Sequence, residues 1–254
     1  FMALTFNNID LSILSRGERL IFGSAQKKNG VFHHKIKEIS EARNNKGIAL
    51  TNGTTLYPLG SPSSLSLDTI TAYNEVLGTE RAVNSLFSLT NLPTDVQIFE
   101  KDFAVLSSIP QLSCAVLPAG MKVQTVASTK DARALLELKA QFIAEETKSI
   151  PKIPNEVPDI PHTQSVLLKR FDEVIGMANS NFFTEDLAMV NMLYITPPYR
   201  GKGNGTLLLQ WYLQHLLRRS VSVCLFYSPT NTPAKRLYES IGFKKCEEWM
   251  MLLQ

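Results

Sequence analysis

The residues with the clearest chemical potential form a glycine-rich loop, Arg200–Gly205, with the sequence RGKGNG. Its alternate glycines carry no side chain, so several backbone N–H groups can approach one point. An apolar strand-like run, Met189–Ile195, precedes the loop, and an apolar helix-like run, Thr206–Leu217, follows it. A helix that begins there adds the positive end of its dipole, so the segment predicts a pyrophosphate site. A tight strand–helix turn without a ligand is the alternative interpretation.

Two other classes of phosphate loop fit this sequence less well. A Walker A loop requires Gly-Lys followed by Ser or Thr, but Gly201-Lys202 is followed by Gly203. A dinucleotide-binding fingerprint requires G-x-G-x-x-G and an acidic residue farther along the chain. The spacing here is G-x-G-x-G, and the next strand ends in Phe226 and Tyr227. Nucleotide hydrolysis and hydride transfer are therefore disfavoured.

The segments on either side of the loop carry further signals. Pro197 and Pro198 end the preceding strand, since proline cannot donate to a sheet ladder. A strand-like run, Val221–Tyr227, leads into the segment NTPAKRLYESIGF. In that segment Asn, Ala, Tyr, Gly and Phe stand in a fixed order, at Asn231, Ala234, Tyr238, Gly242 and Phe243.

Together these motifs resemble the GNAT superfamily of acyl-CoA-dependent N-acetyltransferases. The phosphate-loop pattern of the family, Arg/Gln-x-x-Gly-x-Gly/Ala, is met by Arg200, Gly203 and Gly205. The second signature, Asn-x-x-Ala-x-x-x-Tyr-x-x-x-Gly-Phe, is met at every specified position. The resemblance implies an α/β fold (an α+β mixed sheet), with the GNAT acyl-CoA N-acyltransferase fold in the C-terminal half. A smaller mixed α/β domain in the N-terminal half is expected to pack against it.

The resemblance also implies where a thioester cofactor, acetyl-CoA, lies. In the family it occupies a cleft where two parallel strands splay apart, here the strand ending at Ile195 and the strand Val221–Tyr227. Backbone groups of the first strand hold the pantetheine arm, and N–H groups from Arg200 through Gly205 take the pyrophosphate. A solvated side chain is the plainer expectation for Lys202. The cofactor-binding residues implied in this way are Leu193, Tyr194, Ile195, Arg200, Gly201, Lys202, Gly203, Asn204, Gly205, Thr206, Asn231 and Ala234.

Tyr238 matches the family position whose hydroxyl faces the thioester sulfur, and it is the catalytic residue that the resemblance implies. In the family an amine attacks the acetyl carbon directly in a ternary complex, and the tyrosine assists departure of the CoA thiolate. With a tyrosine pKa near 10 and a thiol pKa of about 8.5, full proton transfer costs roughly 2 kcal/mol. We therefore expect hydrogen-bond donation to developing charge. A core tyrosine on an amphipathic helix is the alternative. Asn231 is also expected to cap its helix.

No general base is assigned. Many family members carry a glutamate on the strand before the loop, at the place where this chain has Val190 or Asn191. Without a carboxylate on the strand, an amine of low pKa or a base acting through water is favoured. Charged residues at element ends are usually solvated, but four acids near the site could act through water, namely Glu145, Glu146, Glu185 and Asp186.

The C-terminal half predicts the order β-α-β-β-β-α-β-α-β over about residues 119–254. Between the first helix and the next strand lies the proline-rich stretch SIPKIPNEVPDIPH, which predicts an extended loop. The predicted helices are Thr129–Glu146, Thr206–Leu217 and Pro233–Ile241. The predicted strands are Met121–Ala127, Ser165–Arg170, Val174–Ser180, Leu187–Ile195, Val221–Tyr227 and Lys244–Leu253.

The N-terminal half has no motif of its own. Asn52-Gly53 predicts a hairpin between Ile48–Thr51 and Thr54–Leu59, and LPAG at Leu117–Gly120 predicts a linker between domains 1–118 and 119–254. This layout resembles GNAT proteins whose first half is a degenerate, cofactor-free copy of the fold; an unrelated α/β cap domain is the alternative. Either way we expect it to shape the acceptor side. Further expectations are helices at Leu67–Asn74 and Glu80–Leu89, a strand at Glu75–Leu77, and buried Phe87, Leu89 and Phe103.

Composition excludes several classes. An apolar fraction of 44% with 19% charged residues is ordinary for a globular protein, and a net charge of +3 does not argue for nucleic acid. Uncharged stretches such as Phe103–Met121 are broken by Ser, Pro and Gln, so no membrane span is expected. No secretion signal is visible at the N-terminus, and three scattered cysteines, Cys114, Cys224 and Cys246, favour a reducing cytoplasm. Cys224 is expected to be a buried core thiol. The histidines show no metal-ligand spacing, so no metal is expected.

The function predicted from the sequence is acetyl-CoA-dependent N-acetylation of a primary amine on a small molecule or peptide, by a monomer or homodimer. A regulatory module that binds acyl-CoA without catalysis is the alternative from another class. Both would keep RGKGNG, but only an enzyme requires the hydroxyl of Tyr238 and a route for the proton of the acceptor. A nucleotide-phosphate binder is a third possibility, and it predicts that ATP or NADPH outcompetes CoA.

Overall fold

A computed structural model describes residues 11–26, 37–51, 53–87, 92, 95–107, 116–148, 151, 153–156, 165–183 and 186–253. The chain divides into two compact units. The first comprises Phe1–Val105, Phe226–Lys235 and Lys244–Gln254, and the second comprises Leu106–Leu225 and Arg236–Phe243. The domain border at residue 118 stays a prediction. The C-terminal segment Lys244–Gln254 belongs to the first compact unit.

The elements follow one another in a mixed order of helices and strands. Helices are α1 (Arg16–Gln26), α2 (Leu67–Ile70), α3 (Glu80–Leu86), α4 (Thr129–Thr147), α5 (Asn204–Leu217) and α6 (Thr232–Ile241). Strands are β1 (Lys37–Asn44), β2 (Gly47–Thr51), β3 (Thr55–Gly60), β4 (Glu75–Gly78), β5 (Gln97–Leu106), β6 (Met121–Thr125), β7 (Ser165–Arg170), β8 (Glu173–Phe183), β9 (Leu187–Ile195), β10 (Ser222–Tyr227) and β11 (Lys244–Leu253). The predicted strands β7, β9 and β11 have the bounds expected from the sequence.

In the first unit the strand order is β1-β2-β3-β4-β11-β5. The predicted hairpin around Asn52-Gly53 is confirmed, because β2 and β3 pair antiparallel with Thr51 opposite Leu56. β3 and β4 are parallel, whereas β11 runs antiparallel to both β4 and β5. Two helices are shorter than predicted. α2 ends at Ile70, and α3 ends at Leu86 because its C-cap, Phe87, has extended backbone.

The core of the first unit lies against this sheet. Its buried members come from strands and from α2 and α3: Ala42, Ala49, Leu56, Ile70, Val76, Val83, Leu86 and Leu252. Phe103 is fully buried and Phe87 is half-buried against the core, as expected, whereas Leu89 lies outside the described residues. Burying a leucine side chain contributes about 1.5–3 kcal/mol, so Leu252 ties the last strand of the chain firmly to this core.

In the second unit the strand order is β10-β9-β8-β7-β6, with α4 packed on β8 and β9. Ser128 caps α4 by accepting a hydrogen bond from the Asp131 N–H group, and Lys148 ends it in the left-handed conformation. Leu135, Leu138 and Tyr194 belong to the buried cluster between helix and sheet. The helix therefore places its C-terminal turn beside the end of β9.

The two halves of the chain repeat one sequence of elements. In each, a helix precedes three antiparallel strands, a second helix leads to a strand parallel to the third, and another helix follows. α1 to α3 and α4 to α6 thus take equivalent places along the chain. The repeat is what a degenerate copy of one fold would leave behind.

Candidate functional site

The site is built where β10 leaves β9. The two strands pair in parallel from Leu187 opposite Ser222 to Val190 opposite Leu225. β9 continues to Ile195, and none of its described residues beyond Val190 has a β10 partner in register. On its other edge, Leu193, Tyr194 and Ile195 pair with β8. The end of β9 therefore has one edge without β10 beside it, where Arg200 engages the Ile195 carbonyl and the other backbone groups can be joined by an extended ligand.

A β-bulge marks the point of divergence. Asn179 lies opposite Met192 and Ser180 lies opposite Val190, so Asn191 is the extra residue of β9. The side-chain oxygen of buried Asn179 accepts a hydrogen bond from the Met192 N–H group at 3.1 Å. Bulges re-aim side chains and end pairing. The place where many family members carry a glutamate, predicted to be Val190 or Asn191, therefore lies at this bulge. Sequence reasoning missed the bulge because its signal lies in the pairing between strands.

The glycine loop begins after a short 3-10 turn, Pro197–Tyr199. The N–H group of Arg200 donates to the Pro197 carbonyl at 3.2 Å. The family pattern predicts that the row of open N–H groups begins at Arg200. Because the Arg200 N–H group is engaged, the row begins at Gly201 instead. From Gly201 to Thr206, no described residue accepts a hydrogen bond from the backbone, and the first helical bond of α5 runs from Leu207 to Gly203.

The glycines of the loop have different physical roles. Gly201 and Gly203 have φ of 71° and 77°, a left-handed backbone that glycine adopts without strain. A Cβ on either would meet no described protein atom within 4 Å, so the space in front of the loop is open. A Cβ on Gly205 would lie 3.5 Å from Leu237 and 3.9 Å from Ile195, which are ordinary van der Waals distances, so the space at this position would also admit an alanine.

Polar side chains of the loop turn back on the 3-10 turn. The Lys202 ammonium donates to the Pro198 carbonyl at 2.8 Å and lies 5.7 Å from the Tyr199 ring centroid. The Asn204 amide donates to the Tyr199 carbonyl at 2.8 Å. The open face of the loop consequently consists of main-chain groups. The Lys202 ammonium lies beside this face and is bonded to the 3-10 turn.

Arg200 also points away from the open N–H groups. Its Nε donates to the Ile195 carbonyl at 2.7 Å, and one terminal nitrogen lies 2.9 Å from both carboxylate oxygens of Glu145. The Tyr194 hydroxyl donates to the same carboxylate at 2.7 Å, and the guanidinium lies 5.0 Å from the Tyr194 ring centroid. This arrangement, the Arg200 cluster of Glu145, Tyr194 and Arg200, was missed because its members are far apart in sequence.

Contacts within the Arg200 cluster shift the pKa values of Glu145 and Tyr194. Burial alone would raise the pKa of the Glu145 carboxyl, but hydrogen bonds from Arg200 and Tyr194 and the charges of Arg200 and Lys148 hold that pKa below its usual range. Burial and the adjacent carboxylate raise the pKa of Tyr194 to about 12. Glu145 is therefore an ion-paired carboxylate that stays 46% exposed, as its position suggested, and it is not suited to take a proton near neutral pH.

The second motif organises α6. The Asn231 side chain accepts a hydrogen bond from the Ala234 N–H group at 3.1 Å, which confirms the predicted N-cap. At the other end, Gly242 has φ of 107° and Phe243 donates from its backbone to the Tyr238 carbonyl at 3.0 Å. The Phe243 ring then packs edge-on against Tyr238 at 5.9 Å. Asn, Gly and Phe of the motif thus fix the helix that carries Tyr238.

Tyr238 is 8% exposed, which is compatible with both interpretations of its role. Its catalytic assignment, like the cofactor contacts of Leu193, Tyr194, Ile195, Thr206, Asn231 and Ala234, stays a prediction. Cys224 is fully buried and forms no disulfide, as expected of a core thiol. Glu185 lies outside the described residues, and the backbone of Asp186 accepts a hydrogen bond from the Ser222 N–H group at 2.9 Å.

Part of the proline-rich stretch lies within the described residues. Arg133 of α4 donates to the Pro154 carbonyl at 2.7 Å and also to the Asn155 carbonyl. α4 thereby holds this stretch near its N-terminal half and the glycine loop at its C-terminal end. Within the described ranges, no group of three or more His, Cys, Asp or Glu side chains is placed to hold a metal. No described helix is long and apolar enough to cross a membrane.

A mixed sheet whose parallel strands part beside a glycine loop is the architecture expected of a GNAT domain. Residues 134–243 match the family model described as the Acetyltransferase (GNAT) family. This segment of the chain is therefore similar to the GNAT family, and it contains both sequence motifs.

Individual proteins extend the likeness. A curated mycothiol acetyltransferase of Thermomonospora curvata is 25% identical over 146 residues, which cover 55% of this chain and 48% of that protein. The chain thus spans about half the length of this curated relative. A GCN5-related N-acetyltransferase from Kribbella flavida superposes with a TM-score of 0.60 at 15% identity, over 94% of this chain and 96% of that one. A tandem GNAT protein from the clavulanic acid biosynthesis pathway gives 0.51 at 14% identity, over 94% of both chains. These two likenesses show the fold.

Proposed function

We propose that the protein is an acetyl-CoA-dependent N-acetyltransferase that transfers an acetyl group to a primary amine. The observation that carries this proposal is the row of open N–H groups from Gly201 to Thr206, set at the start of α5 beside the parting strands. Such a row, at the positive end of a helix dipole, suits a pyrophosphate. The edge of β9 without β10 beside it suits the amide groups of a pantetheine arm.

The reaction follows from the geometry and from ordinary acidities. The amine nitrogen attacks the acetyl carbon, the carbon–sulfur bond breaks, the sulfur leaves as thiolate and the new ammonium loses a proton. Tyr238 donates a hydrogen bond to the charge that develops on sulfur. A lysine-like amine of pKa about 10.4 costs roughly 4.6 kcal/mol to deprotonate at pH 7, whereas an α-amine of about 7.8 costs roughly 1. With Val190 or Asn191 where many family members carry a carboxylate, the site favours acceptors of low pKa or a base that acts through water.

We further propose that one cofactor binds per chain, in the second unit. In the first unit the loop that follows β3 has its N–H groups engaged. Gly60 donates to the Glu18 carboxylate at 3.1 Å, Ser61 to the Lys46 carbonyl at 2.9 Å and Ser63 to the Ala42 carbonyl at 2.7 Å. Buried Glu18 also accepts from Thr79 and Arg81, so a carboxylate already occupies that loop. This supports a degenerate, cofactor-free first half.

The non-catalytic alternative is favoured by one feature of the sequence, the absence of a carboxylate at Val190 or Asn191, where many family members carry the base. A binding module would take up CoA yet release no thiol from acetyl-CoA with any amine. We expect the location to be cytoplasmic, in keeping with Cys224 and Cys246, which form no disulfide. The acceptor is expected to be a small molecule or a peptide, and the protein a monomer or homodimer.

The test combines binding and turnover. Titration calorimetry should find one CoA per chain, and a panel of amines at different pKa should reveal thiol release from acetyl-CoA. Gly203→Val should weaken CoA binding at least tenfold, since valine is strained at φ of 77° and its side chain projects into the open space before the loop. Gly53→Val, also at positive φ but in the first unit, is the matched control for backbone strain. Equal CoA affinity in folded Gly203→Val protein would refute the site, and tighter binding of ATP or NADPH would favour a nucleotide binder.

A further inference from the structure

The family pattern places an arginine at the head of the loop, yet in this chain its side chain is committed elsewhere. The Arg200 guanidinium is divided between the Ile195 carbonyl, both Glu145 oxygens and the face of the Tyr194 ring. Its backbone N–H group is engaged by Pro197. Arg200 thus joins the end of β9 to the last turns of α4.

The charge of Arg200 is likewise compensated. Glu145 carries a carboxylate whose pKa is held low by this pairing, so the pair is close to neutral. A neutral pair adds little attraction for a phosphate, since most of the field of the cation ends on its own partner. The charge of Arg200 therefore does not explain why the loop suits an anion, whereas the open N–H groups do.

We propose that Arg200 is a positioning residue and not a phosphate ligand. Glu145 and Tyr194 hold its guanidinium, the guanidinium holds the Ile195 carbonyl, and the first residue of the loop is thereby fixed before the cofactor arrives. α4 is thus part of the cofactor site although none of its residues contacts the loop's open N–H groups. This inference rests on the proposed function, because it assumes that the loop binds the pyrophosphate of CoA.

The two possible roles of Arg200 predict opposite effects of removing Glu145. If Arg200 binds phosphate directly, Glu145→Gln frees its charge and CoA binds more tightly. If Arg200 positions the loop, Glu145→Gln loosens the Arg200 cluster and CoA binds more weakly. In the positioning model Glu145 acts on the loop only through Arg200, so either substitution already removes the same preorganisation. The Glu145→Gln/Arg200→Gln double variant should therefore bind CoA no more weakly than the weaker-binding single variant.

The experiment is calorimetric titration of the full chain with CoA. Glu145→Gln and Arg200→Gln should each weaken binding about tenfold, the double variant should match them, and Arg200→Lys should restore little because lysine lacks the planar fork. Turnover at saturating acetyl-CoA should change far less than affinity. Glu137→Gln, an exposed carboxylate of the same helix, is the matched control. Tighter binding by Glu145→Gln, or additive losses in the double variant, would overturn the proposal.

A spectroscopic reading keeps the test independent of folding losses. The pKa of Tyr194, raised to about 12, should fall toward 10 in Glu145→Gln protein as the carboxylate is lost, in a tyrosinate absorbance titration corrected with Tyr194→Phe. An unchanged titration would show that Glu145 does not hold Tyr194. If Glu145→Gln fails to fold, Glu145→Asp keeps the charge with a shorter reach and should weaken binding by a smaller factor. Failure of the unaltered chain to bind CoA would refute the proposed function instead.

Discussion

At the scale of single residues, this site is made of main chain more than of side chains. Gly201 and Gly203 adopt left-handed backbone, and the charged residues Arg200 and Lys202 turn away from the open N–H groups. Side chains act one step behind, by fixing the backbone that binds. Substitutions that alter backbone geometry should consequently harm cofactor binding more than substitutions that remove a charge.

Tyr238 is the residue for which a side-chain role in the reaction is expected. Tyr238→Phe should lower turnover by a factor of about 100 or more and leave CoA affinity within a few-fold, because the hydroxyl acts on charge that develops at sulfur. The ring packing on Phe243 survives this change, so the fold should too. Tyr57→Phe, a buried tyrosine of the first unit, is the control and should not slow turnover. Single-turnover rates equal to those of the unaltered enzyme would assign Tyr238 to the core.

Local signals at this scale were readable from the sequence, whereas distant partners were not. The N-cap at Asn231 follows from residue type and from the helical pattern after it, and the burial of Cys224 follows from its apolar neighbours. The partnership of Glu145 with Arg200 could not be read, since it depends on how α4 packs on β9. Glu145 is exposed, as an acid at a helix end is expected to be, so its partner becomes visible only once the helix is packed on the strand.

At the scale of elements, the end of β9 is the decisive feature. Pairing with β10 ends at Val190, and the bulge lies at Asn191. The next residue, Met192, donates its backbone N–H group to the side-chain oxygen of Asn179. Strand bounds were predictable because alternating apolar residues and flanking turns delimit them. The bulge and the parting of the strands were not, since they arise from register between β8, β9 and β10.

The bulge yields a prediction for Asn179. Asn179→Leu should leave the Met192 N–H group buried without a partner, which costs about 1–3 kcal/mol in the free energy of unfolding. It should also reduce turnover, because Met192 directly precedes Leu193–Ile195, the segment expected to hold the pantetheine arm. Ser180→Ala is the matched control. It removes the neighbouring hydrogen bond to Tyr212 (2.6 Å) and should lower stability without a comparable loss of turnover. Denaturant unfolding and steady-state rates measure both, and equal turnover loss in the two variants would argue against a role for the bulge.

At the scale of the whole molecule, the two halves of the chain share one order of elements, and the last strand, β11, pairs with β4 and β5 of the first half. The second half was predictable because two motifs fix its order of elements. The first half was only partly so, since α1, β1 and β5 lack strong punctuation. The place of β11 between β4 and β5 could not be predicted from any local pattern, because all its partners lie more than a hundred residues away.

This place of β11 makes a prediction for an isolated fragment 119–254. Met250 lies opposite Gly78 on one side and Glu100 on the other, so removal of residues 1–118 strips β11 of both partner strands. Trp249 and Leu252, now buried, would be exposed on a strand with two open edges, which is a template for aggregation. We expect fragment 119–254 to be largely insoluble or to sediment as large oligomers.

A fragment that ends at residue 243 is the matched control for that experiment. It lacks β11 and with it the open edges of that strand, so it should be more soluble than fragment 119–254 despite being shorter. Both can be compared by soluble yield and by sedimentation velocity at equal concentration. A monomeric, soluble 119–254 fragment would show that β11 does not depend on β4 and β5. Residues 119–254 would then fold as a domain on their own, without the strands of the first half.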